Sequence, residues 1–179
     1  MTTERVILVD ESDRAIGEAE KVAAHENGGR LHRAFSIFLF DGRDRLLLQQ
    51  RAACKYHFAG RWSNTCCGHP RPGESVIDAA ARRLREEFGI ASRLKTTTEL
   101  RYHAHDPVSN LTEREYLHIL AGPFEGAPTP DPNEIADFRW ATIDAIQTEL
   151  AADATRYSPW FPIALSALVA AGGAGPSGP

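Results

Sequence analysis

Between Gly68 and Ile90 the sequence spaces its charges so that a cation could be held. Arg82 and Glu86, and likewise Arg83 and Glu87, are four apart, so on a helix each pair shares a face. One carboxylate can then be oriented by an arginine while the other stays open to a hard ion such as Mg2+, which also keeps water and phosphate oxygens. A helix merely laced with ion pairs would show the same charges, but it would not need Gly68, Glu74 and Gly89 at fixed offsets. A second group of ligand types lies elsewhere. His25 and His32 bracket an Asn27-Gly28-Gly29 turn, His69 follows Cys67-Gly68, and Glu113 and Glu115 stand two apart on a predicted strand, pointing to one face. Leu117 and Ile119 continue that face, so two carboxylates end an otherwise core-facing row, which is costly without a cation or a proton. Three imidazoles and two carboxylates form a mixed N/O donor set suited to Zn2+, Mn2+ or Mg2+. Taken singly, each residue has a plainer use: a lone histidine usually fills a surface or core position, and a Glu pair can line a solvent-facing edge.

The run Gly68, five residues, Glu74, seven residues, Arg82, then Leu84, Glu86-Glu87, Gly89 and Ile90 resembles the Nudix box, G-x5-E-x7-R-E-U-x-E-E-x-G-U, where U is aliphatic. One fixed position departs: Arg83 stands where the box has Glu. In the family's hydrolases that Glu helps hold the catalytic metal. Arg83 therefore weakens the reading as a Nudix hydrolase of a nucleoside diphosphate derivative, which is the alternative, and requires metal ligands from elsewhere.

A narrower resemblance supplies them. His32-Arg33-Ala34-Phe35-Ser36 and Trp62-Ser63-Asn64-Thr65-Cys66-Cys67-Gly68-His69-Pro70 resemble the type I isopentenyl-diphosphate isomerases. So do Val9-Asp10-Glu11, Ile16-Gly17, Lys21, His25, Arg101-Tyr102, Glu113-x-Glu115 and Ser158-Pro159-Trp160, in order, over roughly residues 6–165. The resemblance implies an α+β Nudix fold, with mixed β-sheets packed between helices, and an isomerase of isoprenoid precursor biosynthesis. It implies that His25, His32, His69, Glu113 and Glu115 bind one divalent metal (Mn2+, Zn2+ or Mg2+), and that Glu87 binds Mg2+ shared with a substrate diphosphate. It implies Cys67 and Glu115 as the catalytic pair, with Tyr102 assisting Glu115. Lys21, Arg51 and Lys55 would contact the diphosphate, and Trp160 would line the hydrocarbon pocket. Cys66 falls outside the pattern and is expected to be a small buried residue.

These residues need elements to carry them. Strands are expected over residues 6–9, 31–40, 45–51, 62–67, 96–102, 113–120 and 138–141, with residues 31–40 and 45–51 joined as a hairpin through the turn at Asp41-Gly42-Arg43-Asp44. Helices are expected over residues 19–25, 75–88, 143–151 and 159–169, the second of them closed by Gly89. The Gly/Ala/Pro/Ser-rich tail 171–179 is expected to be disordered, which leaves one domain over residues 1–170.

Bulk properties narrow the classes. A chain of 179 residues can bury a core without disulfide staples. A formal charge of −4 offers no basic footprint for nucleic acid and no polybasic membrane patch. No apolar run reaches the ~18 residues needed to span a bilayer. Three cysteines and an N-terminus unlike a secretory signal point to a reducing, cytoplasmic compartment. The expected partner is a small diphosphate, with the chain as a monomer or homodimer.

Overall fold

A computed structural model describes residues 4–55 and 57–173. Strands Arg5–Val9 (β1) and Ala15–Glu20 (β2) form an antiparallel hairpin that runs into the short helix Lys21–His25 (α1). Then come strands His32–Phe40 (β3), Arg45–Arg51 (β4), Trp62–Ser63 (β5) and Cys66–Gly68 (β6), and helix Val76–Phe88 (α2). Strands Lys95–Asp106 (β7), Leu111–Pro123 (β8) and Ile135–Thr142 (β9) follow. Helix Ile143–Asp153 (α3), a 3-10 turn at Ala154–Arg156 and helix Trp160–Ala170 (α4) complete the chain. All nine strands belong to one hydrogen-bonded network.

The axis of that network is β3. One of its edges pairs in parallel with β8 from His32↔Glu115 to Phe40↔Pro123. The other edge is shared by β1 at His32, β6 at Phe35, Ser36 and Ile37, and β4 at Phe40. The strands alternate faces with a period of two. Phe35, Ile37 and Leu39 pack under α2 with Ala80, Leu84 and Phe88. Ala34, Phe38 and Phe40 pack under α4 with Phe161, Ala164 and Leu168. Helices thus cover both faces of a mixed sheet, as the α+β reading expects, although the strands join into one network rather than several sheets.

Four local expectations change. The hairpin of residues 31–51 holds only at its tip, because β3 and β4 share a single pair, Phe40↔Leu46. Beyond it the strands splay, and Asn64 and Thr65 fill the gap. Thr65 Oγ1 accepts from Leu39 N and donates to Leu47 O, while Asn64 Nδ2 donates to Ile37 O. The strand expected over residues 62–67 is therefore two short strands, β5 on β4 and β6 on β3. The helix expected from residue 19 starts at Lys21, with Glu20 as its cap accepting from Ala23 N. Residues 15–20 before it are instead the edge strand β2, which buries only Ala19 and so shows little apolar alternation. Strands β7 and β8 extend past their expected ends because they pair with each other from Lys95↔Ala121 to Asp106↔Leu111. Of the tail expected to be disordered, residues 174–179 lie outside the described residues.

Helix α2 forms where its caps and apolar face dictate. Ser75 accepts from Asp78 N at the start, and Gly89 ends the helix at φ 65°, a left-handed conformation that favours glycine. Leu84 and Phe88 are fully buried, each stabilising the docked helix by roughly 1.5–3 kcal/mol.

Candidate metal and acid–base site

The splay between β3 and β4 and the end of β8 converge on one cleft. His32 shares the α4-facing side of β3 with Ala34 and Phe38, and Glu113 and Glu115 share that side of β8 with Leu117 and Ile119. The parallel pair His32↔Glu115 sets an imidazole beside a carboxylate. His69 enters from the end of β6, and His25 from the last turn of α1. Ligand atoms of His25, His32, His69, Glu113 and Glu115 all lie within 4.8 Å of one another. Their side chains are 0–9% exposed.

The hydrogen bonds assign the imidazole protons. Nδ1 of His25 faces Lys21 O at 2.6 Å, and Nδ1 of His32 faces Arg30 O at 2.7 Å. A carbonyl only accepts, so both Nδ1 atoms carry hydrogen and each ring turns its Nε2 toward the cluster, where it donates when the ring is charged and offers a lone pair to a cation when it is not. There His25 Nε2 meets Glu113 Oε2 at 2.9 Å, and His32 Nε2 meets His69 Nε2 at 3.1 Å. His69 Nε2 also lies 3.0 Å from Glu115 Oε1. Acceptors facing acceptors at these distances repel unless a proton or a cation lies among them. Ring nitrogens fixed by backbone carbonyls on their far side are also the usual arrangement of metal-ligating histidines. The donor set fits a divalent metal.

Charge states follow from burial and neighbours. For Glu113, burial opposes ionisation, but hydrogen bonds from His25 and His57 prevail and hold its pKa well below the usual carboxylate value. Glu115 moves the other way: burial and then the Glu113 charge raise it. Burial, then His32, pushes His69 well below an ordinary histidine. Burial lifts the Cys67 thiol to about 11, so it carries its proton at neutral pH. Burial and the neighbouring Glu115 carboxylate raise Tyr102 well above 10, so its hydroxyl is protonated too.

Cys67, Glu115, Tyr102 and Trp160 line one pocket with Lys21 and Arg51. Cys67 Sγ lies 3.3 Å from Asn64 Oδ1 and 3.3 Å from Ser36 Oγ. The Trp160 indole N–H donates to Ser63 Oγ at 3.0 Å, and the Arg51 guanidinium sits 5.3 Å from its ring centroid. Cys66 points to the opposite, α2-facing core and is fully buried. Gly68 is required by contact: a Cβ there would come 2.9 Å from Phe35 Cζ and 3.2 Å from Arg83 Cγ.

The helix charges are arranged as their spacing suggests, with one addition. Arg82 grips Glu74 through two bonds of 2.7 and 2.8 Å and reaches Glu86 at 3.3 Å. Arg83 bonds Glu87 at 2.5 Å, Glu86 at 2.7 Å and Glu134 at 3.1 Å. Its guanidinium, held protonated by these carboxylates against the cost of burial, occupies the place a cation would take between them. Glu87 is 4% exposed, accepts from Gln49 Nε2 at 3.2 Å, and also lines the pocket. Lys55 pairs with Glu134, and Lys21 with Glu4 at 2.9 Å.

The structure brings every expected site residue to this pocket or to the His/Glu cluster beside it. Sequence reasoning missed Glu134, His57 and the Ser36–Cys67–Asn64–Ser63 contacts. The serines and Asn64 look like ordinary polar turn residues until the splay of β3 and β4 buries them. His57 lies in an irregular stretch where no periodicity marks a face.

A NUDIX domain model matches residues 30–161. The fold is shared with a protein from Deinococcus radiodurans (TM-score 0.69, 21% identity, 84% of this chain and 90% of that one). It is shared also with a MutT protein from Methanosarcina mazei (TM-score 0.63, 16% identity, 76% and 91%). Fold and site define a Nudix-type protein whose helix carries Arg83 and whose buried His/Glu cluster, outside that helix, fits a divalent metal. The chain is 51% identical to an isopentenyl-diphosphate Delta-isomerase of Halorhodospira halophila over 88% of this chain and 91% of that protein. It is 50% identical to one from Burkholderia multivorans, over 88% and 89%. The chain belongs to the isopentenyl-diphosphate Delta-isomerase family within the NUDIX proteins.

Proposed function

We propose that the protein interconverts isopentenyl and dimethylallyl diphosphate, adding a proton at the terminal alkene carbon and removing one from the carbon beside the diphosphate-bearing methylene. The observation that carries this reading is the pairing in one pocket of a protonated thiol, Cys67, with a buried carboxylate, Glu115, of raised proton affinity. A Nudix hydrolase has no use for that pair, and Arg83 fills the place of its metal-binding Glu.

Protonating an unactivated alkene creates a tertiary carbocation, so the barrier is high. Cys67 and Glu115 are the two groups that give and take the proton, and burial raises the proton affinity of both. Tyr102, beside Glu115, stays protonated and hydrogen-bonds its carboxylate. The cation must be kept from water, and Trp160, which lines the pocket with Phe58 packed against it, serves this. The indole adds cation–π attraction of about 0.5–2 kcal/mol, small against the ~8–23 kcal/mol by which enzymes lower barriers. Most of the acceleration comes from positioned acid and base and from remote anchoring by Arg51, Lys55 and Lys21 at the diphosphate.

His25, His32, His69, Glu113 and Glu115 would hold one divalent metal, Mn2+, Zn2+ or Mg2+. Glu87 would hold Mg2+, an ion that usually also keeps water and phosphate oxygens. When bound, the metals supply positive charge that sets the proton affinity of Glu115 and neutralises the diphosphate. Free thiols at Cys54, Cys66 and Cys67 suit a cytoplasmic setting. No helix among the described residues is long and apolar enough to cross a membrane.

The test is a parallel incubation with Mg2+ and either isopentenyl diphosphate or a panel of dinucleotides. Formation of dimethylallyl diphosphate is expected. Phosphate release from the dinucleotides with no isomerisation would overturn the reading.

A further inference from the structure

His57 belongs to no motif in the sequence, yet it reaches the metal cluster. Its Nε2 lies 2.6 Å from Glu113 Oε1, and its side chain is 10% exposed. The other Glu113 oxygen, Oε2, faces His25 Nε2 at 2.9 Å. The carboxylate is therefore spanned, with one oxygen turned into the cluster and the other turned away onto His57. A carboxylate accepts, so His57 Nε2 carries the hydrogen of this bond.

His57 is itself held in place. Its carbonyl accepts from Arg51 Nη2 at 3.0 Å, and the next carbonyl, Phe58 O, accepts from Arg51 Nε at 3.3 Å. Phe58 N donates to the buried Asp106 carboxylate at 3.4 Å. The imidazole also packs 5.4 Å from the Phe58 ring and 6.3 Å from the Trp160 ring. A donor fixed from its backbone can set the direction of the carboxylate it grips.

We propose that His57 is the positioning residue for the metal ligand Glu113, holding Oε1 by an Nε2–H donor so that Oε2 alone is presented to the cation. Glu113 is thereby kept from chelating through both oxygens, and its carboxylate is set before the ion arrives. Partners of this kind behind a ligand are worth roughly 10–100-fold in metal affinity. The proposal rests on reading the five-residue cluster as a metal site and is independent of what the substrate is.

The experiment measures metal binding without substrate. Metal-free wild type, H57A, H57F and H57Q are titrated with Mn2+ and with Zn2+ against a chromogenic chelator. Unfolding midpoints of the metal-free forms are recorded alongside. H57F keeps an aromatic ring in the site but has no donor. H57Q keeps an N–H. The expected result is a loss of about 10–100-fold in affinity for H57A and H57F, with affinity largely restored in H57Q. The metal-induced rise in unfolding midpoint should shrink in H57F, with the metal-free midpoint near wild type. If H57A does not fold, H57F and H57Q decide. Wild-type affinity in H57F, or an affinity in H57Q no better than in H57F, overturns the role given to His57. A wild type that takes up no metal overturns instead the metal reading of the cluster.

Discussion

His25 Nε2 and Glu113 Oε2 face each other at 2.9 Å, and the hydrogen of the imidazole is committed on the far side to Lys21 O. That contact asks for a second proton on the imidazole or a cation between or beside the two groups, and the surrounding His32, His69 and Glu115 repeat the demand. Metal removal should therefore cost stability as well as activity. Chelator treatment is expected to lower the thermal midpoint, and re-addition of metal at 100 times its Kd to restore about 2.7 kcal/mol. For a chain of this size that is several degrees. Differential scanning calorimetry with and without chelator reads the change. An unchanged midpoint, with no metal detected in the purified protein, would contradict the site.

The adjacent cysteines should behave oppositely. Cys67 opens on the pocket and Cys66 on the α2-facing core. Cys67→Ala is expected to lower kcat by ~10²–10⁴, the usual worth of a general acid or base, with little change in unfolding. Cys66→Ala is expected to keep kcat and lose roughly 1 kcal/mol of stability through the small void it leaves. Turnover and urea midpoints on the two variants separate the roles. Near-wild-type turnover in Cys67→Ala would remove the thiol from the mechanism.

Arg83 marks the divergence from the hydrolases, and reversing it should not restore one. Arg83→Glu sets a new carboxylate against Glu86, Glu87 and Glu134, which now share one guanidinium. Like charges at this range repel, and Glu87 loses the partner that orients it. The variant is expected to lose at least about ten-fold in isomerisation, the order of one pKa unit of lost interaction, and to release no phosphate from dinucleotides. Appearance of dinucleotide hydrolysis would show that Arg83 alone separates the two chemistries.

Acid sensitivity should report on the packing of α3. Glu149 is held by two bonds from Arg139, at 2.8 and 2.6 Å, and one from the Tyr157 hydroxyl at 2.7 Å. These hydrogen bonds, Arg139 first and Tyr157 second, lower its pKa from 4.5 to about 2. A depressed carboxylate contributes stability that is present above the unfolded value and is lost as pH falls from about 4.5 toward 2. Because the pair is near the surface, the contribution is about 0.2–1 kcal/mol. Glu149→Gln should lower stability by that amount at pH 7 and flatten the pH dependence within the window. Denaturant midpoints at pH 7, 4 and 3, in about that range, test it, and identical slopes in the two proteins would contradict it.

What the sequence revealed, and what it hid, follows from the range of the interactions. Helix α2 was legible because Ser75, Gly89 and the i,i+4 charges are local signals. Glu113 and Glu115 were legible because two carboxylates interrupt the apolar row of Leu117 and Ile119. The splay of β3 from β4 was not, since it depends on Asn64 and Thr65 satisfying backbone groups of two other strands. β2 was hidden because an exposed edge strand needs no alternation. His57 was hidden because its partner, Glu113, is distant in sequence and its own segment has no repeat. The proposed pairing of Cys67 with Glu115 came through resemblance, since nothing in the spacing of two residues on different strands announces that they share a pocket.

The central claim is that the pocket exchanges protons with an alkene while the diphosphate serves as a handle. NMR of isopentenyl diphosphate incubated with the metal-loaded protein in D2O tests it most directly. Deuterium appearing in a methyl group of dimethylallyl diphosphate, with the diphosphate intact, is the predicted result. Cleaved diphosphate, or unchanged substrate free of deuterium, would contradict the account.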